Sequence, residues 1–211
     1  MTNTPTVPPR GTVPPARAPR RLSRQARLEQ LVAAAMPVVA RDGFFEFSLD
    51  EIAERAGVTR NLLYHYFPEG RPDVVLAVVE RAGHELVDGW VVDEGLPLER
   101  RVDENNARMV AHALSGTDAW RIHRHARGAT SPEVRARVDH FVGIVIASIA
   151  RNHLGTSDPP PLARLVLQGY FAFFETVIDD WRATTLSAEQ IVQLLGETLS
   201  AAIRAATHRT T

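Results

Sequence analysis

The chain of 211 residues carries 24 basic and 25 acidic side chains, 45% of its residues are hydrophobic, and none is cysteine. This balance is typical of a globular protein with its own core, and the lack of cysteine excludes disulfides, thiolate metal sites and a cysteine nucleophile. Every basic residue is arginine, which excludes enzymes that need a Schiff-base or P-loop lysine. Since no apolar run reaches the roughly 20 residues of a membrane span, we expect a cytoplasmic protein without membrane contact.

Charge is distributed unevenly along the chain. Residues 1–71 hold ten arginines against seven acidic residues, whereas residues 72–211 hold fourteen against eighteen. A basic end joined to an acidic remainder indicates an anionic partner for the N-terminal part. Residues 1–21 contain six prolines and four arginines with few large apolar side chains, so we predict a disordered Pro/Arg-rich tail.

From residue 22 onward apolar residues recur with a helical period, and no sustained strand-like alternation is present, so the predicted fold class is all-α. The first helix is expected to end at Gly43, and Pro37 inside it should kink or loosen the helix about one turn earlier. After two short helices in residues 48–67, further helices are predicted near 72–90, 98–114, 118–127, 131–154, 158–183 and 188–206.

The segment 48–67 predicts a helix-turn-helix. Ser48 and Glu51 form a capping box for a short helix that stops at Gly57, and Thr59 caps the next helix. Two helices of about two turns joined by the tripeptide AGV have the layout of this DNA-binding motif, in which the second helix enters the major groove.

The second of these helices, TRNLLYHYF, carries the side chains that such a role requires. Thr59, Arg60 and Asn61 come first, and arginine and asparagine pair bidentately with guanine and adenine edges. Tyr64 and His65 follow one turn later with donors for phosphate or base. Ser48, at the start of the preceding helix, offers its hydroxyl and the helix N-terminus to a phosphate. In the tail, Arg20 and Arg21 are candidates for contact with DNA phosphates or the minor groove, the alternative being an extension without a role.

Residues 22–90, through SLDEIAERAGVTRNLLYHYFPEG, resemble the DNA-binding end of the TetR family of bacterial transcriptional regulators. The resemblance implies a three-helix DNA-binding domain over 22–71, followed by a larger helical domain over 72–211 for ligand binding and dimerisation. Leu62 stands where the family often has a small hydroxyl residue, and the usual lysine after the recognition helix is absent. Arg71 is its nearest substitute and is expected to position the DNA backbone.

The last two predicted helices indicate a homodimer on double-stranded DNA. Helix 160–183 is apolar on more than one side, and helix 188–206 adds a further apolar stripe, so one side of the pair needs a partner. A second copy joined through these helices would place both recognition helices on one face of an inverted-repeat operator. A deep central helix in a monomer is the alternative.

The volume of residues 72–211 exceeds what a dimer contact requires, which favours a site for a small apolar or aromatic effector and hence a ligand-responsive repressor. Aromatic side chains are candidates to line it, with a histidine or an arginine as polar contact; the candidate residues are Trp120, His123, Arg124, Phe141, Phe171 and Phe174. The alternative is a solid core made of the same aromatic residues.

Enzymatic function is not expected, because the chain has no GxGxxG, GxSxG or HExxH motif. The histidines between residues 112 and 153 lack the i, i+4 spacing of metal ligands, so neither a metal nor a cofactor is expected. The rivals are a regulator without an inducer, an activator, and an all-helical enzyme or ligand carrier with an incidental helix-turn-helix. A DNA-binding protein would expose Arg60, Asn61 and Tyr64 on one side, whereas a scaffold helix would bury them.

Overall fold

The computed structural model describes residues 22–88, 95–181 and 183–207. Over these ranges the chain forms nine α-helices and no strand, which confirms the predicted all-α class. They are α1 (Arg24–Glu46), α2 (Leu49–Arg55), α3 (Arg60–Tyr66), α4 (Arg71–Asp88), α5 (Leu98–Leu114), α6 (Asp118–Arg127), α7 (Pro132–Leu154), α8 (Pro161–Trp181) and α9 (Ala188–Thr207). Among the described helices, none is long and apolar enough to cross a membrane. The predicted tail, with Arg20 and Arg21, lies outside the described residues.

Helix α1 contains the proline that predicted a kink. Ser23 caps the helix, and the backbone then stays helical through Pro37. The interruption falls at Gly43 instead, where φ is 78° and ψ is −172°, a conformation that a residue without Cβ adopts with little strain. The backbone has no interruption one turn before Pro37, where the kink or loosening was expected. Met36 and Val38 on either side of the proline are buried, and their packing holds the helix regular although the proline donates no hydrogen bond.

Helix α6 connects the N-terminal helices to the rest of the molecule, because it packs against both α1 and α4. The imidazole Nε2 of His125 on α6 lies 3.2 Å from the carbonyl oxygen of Ala40 on α1. The same ring packs against Phe44 at a centroid distance of 5.9 Å. Helix α6 thus contacts both the helix that precedes the helix-turn-helix and the helix that follows it.

Helices α8 and α9 pack against each other, and each has one face in the core and one face at the surface. The inward faces are buried and consist of Leu167, Phe171, Phe174 and Ile178 on α8 and Ile191, Leu195 and Leu199 on α9. On the outside, Leu162, Leu165 and Leu194 are 41%, 65% and 42% exposed. Of the two apolar stripes that the sequence shows on α8, one therefore belongs to the core and the other keeps exposed leucines.

Candidate nucleic-acid interface

The turn between α2 and α3 is built by local hydrogen bonds. The Ser48 hydroxyl accepts the backbone N–H of Glu51 at 3.2 Å, and the Thr59 hydroxyl accepts that of Leu62 at 3.3 Å, so each short helix has a capped first turn. Between the two helices Gly57 has a φ of 63°, a left-handed value that favours glycine. The capped helices and the turn that the sequence predicts are thus present. The capping box is only half formed, because the Glu51 carboxylate pairs with Arg41 and Arg55 and not with the backbone N–H of Ser48.

Helix α3 has one buried face and one exposed face. Leu63 is fully buried and Phe67, directly after the helix, is 3% exposed, so both hold α3 to the core. The opposite side consists of the exposed residues Thr59, Arg60, Asn61, Tyr64 and His65. This is the arrangement expected of a recognition helix rather than of a buried scaffold helix.

Arg60 is held in place by two neighbours on the exposed face. Its Nη1 donates to the Asp50 carboxylate at 2.9 Å, and its Nη2 lies 3.5 Å from the Tyr64 hydroxyl. The guanidinium also lies 5.6 Å from the centre of the Tyr64 ring. The Tyr64 hydrogen bond and then the charge of Asp50 raise the pKa of Arg60 above its ordinary value. Sequence reasoning missed Asp50. The feature that could have indicated it is an acidic residue in the first turn of α2, the helix that packs beside α3.

Arg71 and Ser48 take part in internal contacts as well. The Nε of Arg71 donates to the carbonyl oxygen of Phe47 at 3.0 Å, and its guanidinium lies 5.7 Å from the centre of the Phe47 ring. Arg71 is exposed, and its guanidinium contacts Phe47 just before the start of α2. Ser48 is only half-buried, but its hydroxyl already accepts a hydrogen bond as the cap of α2.

Two residues of α1, neither of them predicted, support the motif from behind. The Gln30 side-chain amide donates to the carbonyl oxygen of Ala56 in the turn at 2.8 Å. Arg41 donates to both carboxylate oxygens of Glu51 at 2.7 and 3.0 Å, which joins α1 to α2. These hydrogen bonds from Arg41 hold the pKa of Glu51 below its ordinary value. The contacts depend on how α1 packs across the motif, which residue spacing alone does not predict.

Four of the six candidate effector residues come together between α6 and α8, where they form a packed cluster. The rings of Trp120 and Phe174 lie 6.2 Å apart, those of His123 and Phe171 lie 6.3 Å apart, and all four residues are buried. The Nε2 of His123 lies 2.6 Å from the carboxylate of Glu175, so its polar atom contacts a neighbouring side chain. None of these four residues lines a cavity among those described below.

The remaining two candidates lie elsewhere, which corrects the prediction of one shared lining. Phe141 packs beside α4, so close to Gly83 that a Cβ there would lie 2.1 Å from its ring. Arg124 is exposed, and its Nε lies 2.8 Å from the carboxylate of Asp179. The two side chains leave their helices in directions that are set by the packing of α6 and α7, which a helical period does not determine.

Two cavities are relevant to binding by the C-terminal helices. One of about 1050 Å³ lies between α5 and α9 and is lined mainly by small and apolar side chains, among them Val110, Ala111, Val192, Gly196 and Ala201. The other, of about 640 Å³, lies where α1, α6 and α8 meet and is lined by arginines. Among the described residues no group of three histidine or carboxylate side chains is placed to hold a metal ion.

Comparison with known proteins identifies the N-terminal part. The family model described as "Bacterial regulatory proteins, tetR family" matches residues 31–83, from α1 into α4. The HTH-type transcriptional activator FasR of Mycolicibacterium smegmatis is 41% identical over 69 residues, which cover 33% of this chain and 31% of that protein. The chain thus matches about a third of the length of this relative.

Solved structures extend the likeness over most of the chain. A tetR-family transcriptional regulator from Streptomyces coelicolor is 25% identical, with a TM-score of 0.70 over 89% of this chain and 90% of that one. The regulator FadR from Bacillus subtilis, solved in complex with stearoyl-CoA, has a TM-score of 0.60 over 83% of this chain and 97% of that one. Its identity is 18%, so this second likeness shows the fold alone.

Proposed function

We propose that this chain, which belongs to the TetR family of bacterial regulatory proteins, controls transcription by placing helix α3 in the major groove of DNA. The family is one of regulators, in agreement with the lack of catalytic motifs in the sequence. In this proposal residues 22–71 are the DNA-binding domain, and residues 72–211 serve dimerisation and effector binding. The observation that carries it is the exposed polar face of α3 above the buried Leu63 and Phe67.

The residues of this face have two kinds of role. Arg60 and Asn61 read base edges, because their side chains are exposed in the first turn of α3. A second group positions the protein on the phosphate backbone and carries no direct sequence information; it consists of Ser48, Thr59, Tyr64, His65 and Arg71. Asp50 holds Arg60 in a defined orientation before DNA arrives.

We further propose that the protein acts as a homodimer through α8 and α9. Leu162, Leu165, Leu186 and Leu194 are between 41% and 65% exposed, and all belong to α8, α9 or their connection. A second copy would cover these leucines and present two recognition helices related by a two-fold axis.

Leu195 on α9 lies in the core of its own chain at 0% exposure. A charge at Leu195 would unfold the subunit rather than separate a dimer. Leu194, one residue earlier, is the appropriate position for that test.

Selection of DNA from a random duplex pool tests this function as a whole. The full chain should enrich an inverted repeat whose half-sites lie about one helical turn, or a multiple of it, apart. Enrichment of a single asymmetric site would contradict the dimer, and no enrichment above the starting pool would contradict sequence-specific binding.

Control by an effector is the finer part of the proposal. The cavity between α5 and α9 has the volume of a site for an organic ligand, and its lining suits an apolar molecule. FadR of Bacillus subtilis, which shares this fold, was solved with stearoyl-CoA, so a long-chain acyl compound is a suitable first ligand to assay. Ligand and DNA would act on each other reciprocally, each weakening the other by the same factor if the protein is a repressor.

Repression and activation are distinguished by what the ligand does to DNA affinity. FasR of Mycolicibacterium smegmatis, which is 41% identical to this chain over 69 residues, is named a transcriptional activator. Activation is therefore the second candidate. An effector that strengthens operator binding would favour it, whereas one that releases the operator would favour repression.

A further inference from the structure

The second cavity, of about 640 Å³, has an unusual lining. It lies at the junction of α1, α6 and α8, and its polar residues are Arg41 from α1, Arg121, Arg124, His125 and Arg127 from α6, and Asp179 from α8. The three arginines of α6 recur every third residue and therefore share one face of that helix. Four guanidinium groups from two helices thus surround a single open space.

The acidic partners of these arginines are mostly outside the cavity. Arg121 pairs with Asp118 at 3.4 Å, and Arg127 pairs with Glu175 at 3.0 Å. Neither carboxylate lines the cavity, and the same is true of Asp42 and Glu51, the partners of Arg41. One guanidinium carries five N–H donors, so the single ion pairs of Arg121 and Arg127 leave several donors for a ligand. Arg41 already makes four hydrogen bonds to Asp42 and Glu51, so it contributes mainly its charge and one remaining N–H.

Asp179 is the single carboxylate in the described lining of this cavity. Its Oδ1 lies 2.8 Å from the Nε of Arg124 but receives no hydrogen bond of adequate geometry. This oxygen atom is buried, although the side chain as a whole is 26% exposed. A buried carboxylate oxygen without an aligned donor is unfavourable, and a hydroxyl or amino group of a ligand would satisfy it.

We propose that this junction cavity is a binding site for a phosphorylated organic anion that also carries a hydroxyl or amino donor. Planar guanidinium groups bind phosphate oxygens bidentately, and here they approach one space from α1 and α6. The donor group would reach Asp179 on α8. The chemistry differs from that of the α5–α9 cavity, whose lining is largely apolar, so the two sites would take different molecules.

The place of the site in the fold gives such a ligand an effect on DNA binding, a consequence that rests on the proposed function. Arg41 belongs to the helix that packs against the helix-turn-helix, whereas Arg121 and Arg124 belong to α6. An anion held by all three would tie α6 more firmly to α1 and alter the freedom of the recognition helices.

Isothermal titration of the full chain with inorganic pyrophosphate at constant ionic strength tests the site. We expect one saturable site per chain, with an affinity that falls about tenfold in Arg121→Gln and about tenfold in Arg124→Gln, because each change removes charge-assisted hydrogen bonds. Arg164→Gln is the matched control, since Arg164 is similarly exposed and ion-paired with Asp158 at 2.6 Å but does not line the cavity. It should bind as the wild type does.

The exposed Arg60 on the DNA-binding face also attracts anions, so Arg60→Gln distinguishes binding at that face from binding in the junction cavity. Binding that survives Arg60→Gln and weakens about tenfold in Arg121→Gln and in Arg124→Gln supports the junction site. The proposal is overturned if the wild type shows no saturable binding, or if Arg60→Gln weakens pyrophosphate binding while Arg121→Gln and Arg124→Gln do not. The titration uses no DNA, so failure to find an operator would overturn the proposed function and leave this result intact.

Discussion

His123 of α6 and Glu175 of α8 meet in the interior, with 2.6 Å between the imidazole Nε2 and the carboxylate Oε1. The second carboxylate oxygen lies 3.0 Å from Nη1 of Arg127, so one buried carboxylate, 4% exposed, joins two side chains of α6 to α8. This polar contact joins α8, one of the proposed dimer helices, to α6, which in turn packs against α1 and α4 on either side of the DNA-binding motif.

Substitution of Glu175→Gln should reduce the free energy of unfolding by about 1–3 kcal/mol, because the neutral amide makes weaker hydrogen bonds to His123 and Arg127 than the carboxylate does. Urea unfolding followed by circular dichroism measures the change. Asp180→Asn, at an exposed carboxylate on the same helix, is the control and should lie within about 0.5 kcal/mol of the wild type. Equal effects of the two substitutions would show that the buried contact adds no stability.

Gly83 tests the packing of α4 on α7. In Gly83→Ala the new Cβ would lie 2.1 Å from the ring of Phe141, so we expect a decrease in stability of about 1–3 kcal/mol from the overpacked contact. In Gly143→Ala, on α7 itself, no atom lies within 4 Å of the new Cβ, and replacing a helical glycine should stabilise by up to about 1 kcal/mol. Thermal unfolding of both variants checks the opposite signs, and a stabilised Gly83→Ala would contradict the close approach.

How far the sequence predicts this molecule depends on whether a feature is local. The helix starts at Ser48, Thr59 and Ser131 follow from hydrogen bonds within four residues, and the structure has these caps. The contact between His123 and Glu175 spans 52 residues and depends on the rotation of α6 against α8. A helical period indicates that a face is apolar without indicating which neighbour it meets.

We expect Leu165→Arg to yield monomers, because Leu165 is 65% exposed on α8 and would be buried in the proposed dimer. The two-fold axis would place two unpaired arginine charges in the contact, one from each copy. Size-exclusion chromatography with light scattering gives the mass. Ile144→Arg is the control, at a side chain 36% exposed on α7, and it should leave the mass unchanged. A dimer that persists in both Leu165→Arg and Leu194→Arg would place the contact on another surface.

The proposed role of the tail is tested by salt dependence. If Arg20 and Arg21 bind phosphates, changing both to glutamine should make the slope of log affinity against log salt less negative by roughly 0.9 for each phosphate that is no longer neutralised. Changing Arg10 and Arg17 instead removes the same charge from positions farther from α1 along the sequence and should have the smaller effect. An unchanged slope in the Arg20 and Arg21 variant would show that these two arginines take no part in binding.

The most direct test of DNA recognition by α3 is the affinity of Arg60→Ala for the selected operator and for random duplex DNA, measured side by side by fluorescence anisotropy. Removal of a bidentate hydrogen bond to a base should weaken operator binding by about 1–3 kcal/mol and leave binding to random DNA nearly unchanged. Arg55→Ala is the control in the same motif, because Arg55 on α2 pairs with Glu51 and has no assigned DNA contact. Equal weakening of Arg60→Ala on both DNAs would contradict base readout by α3.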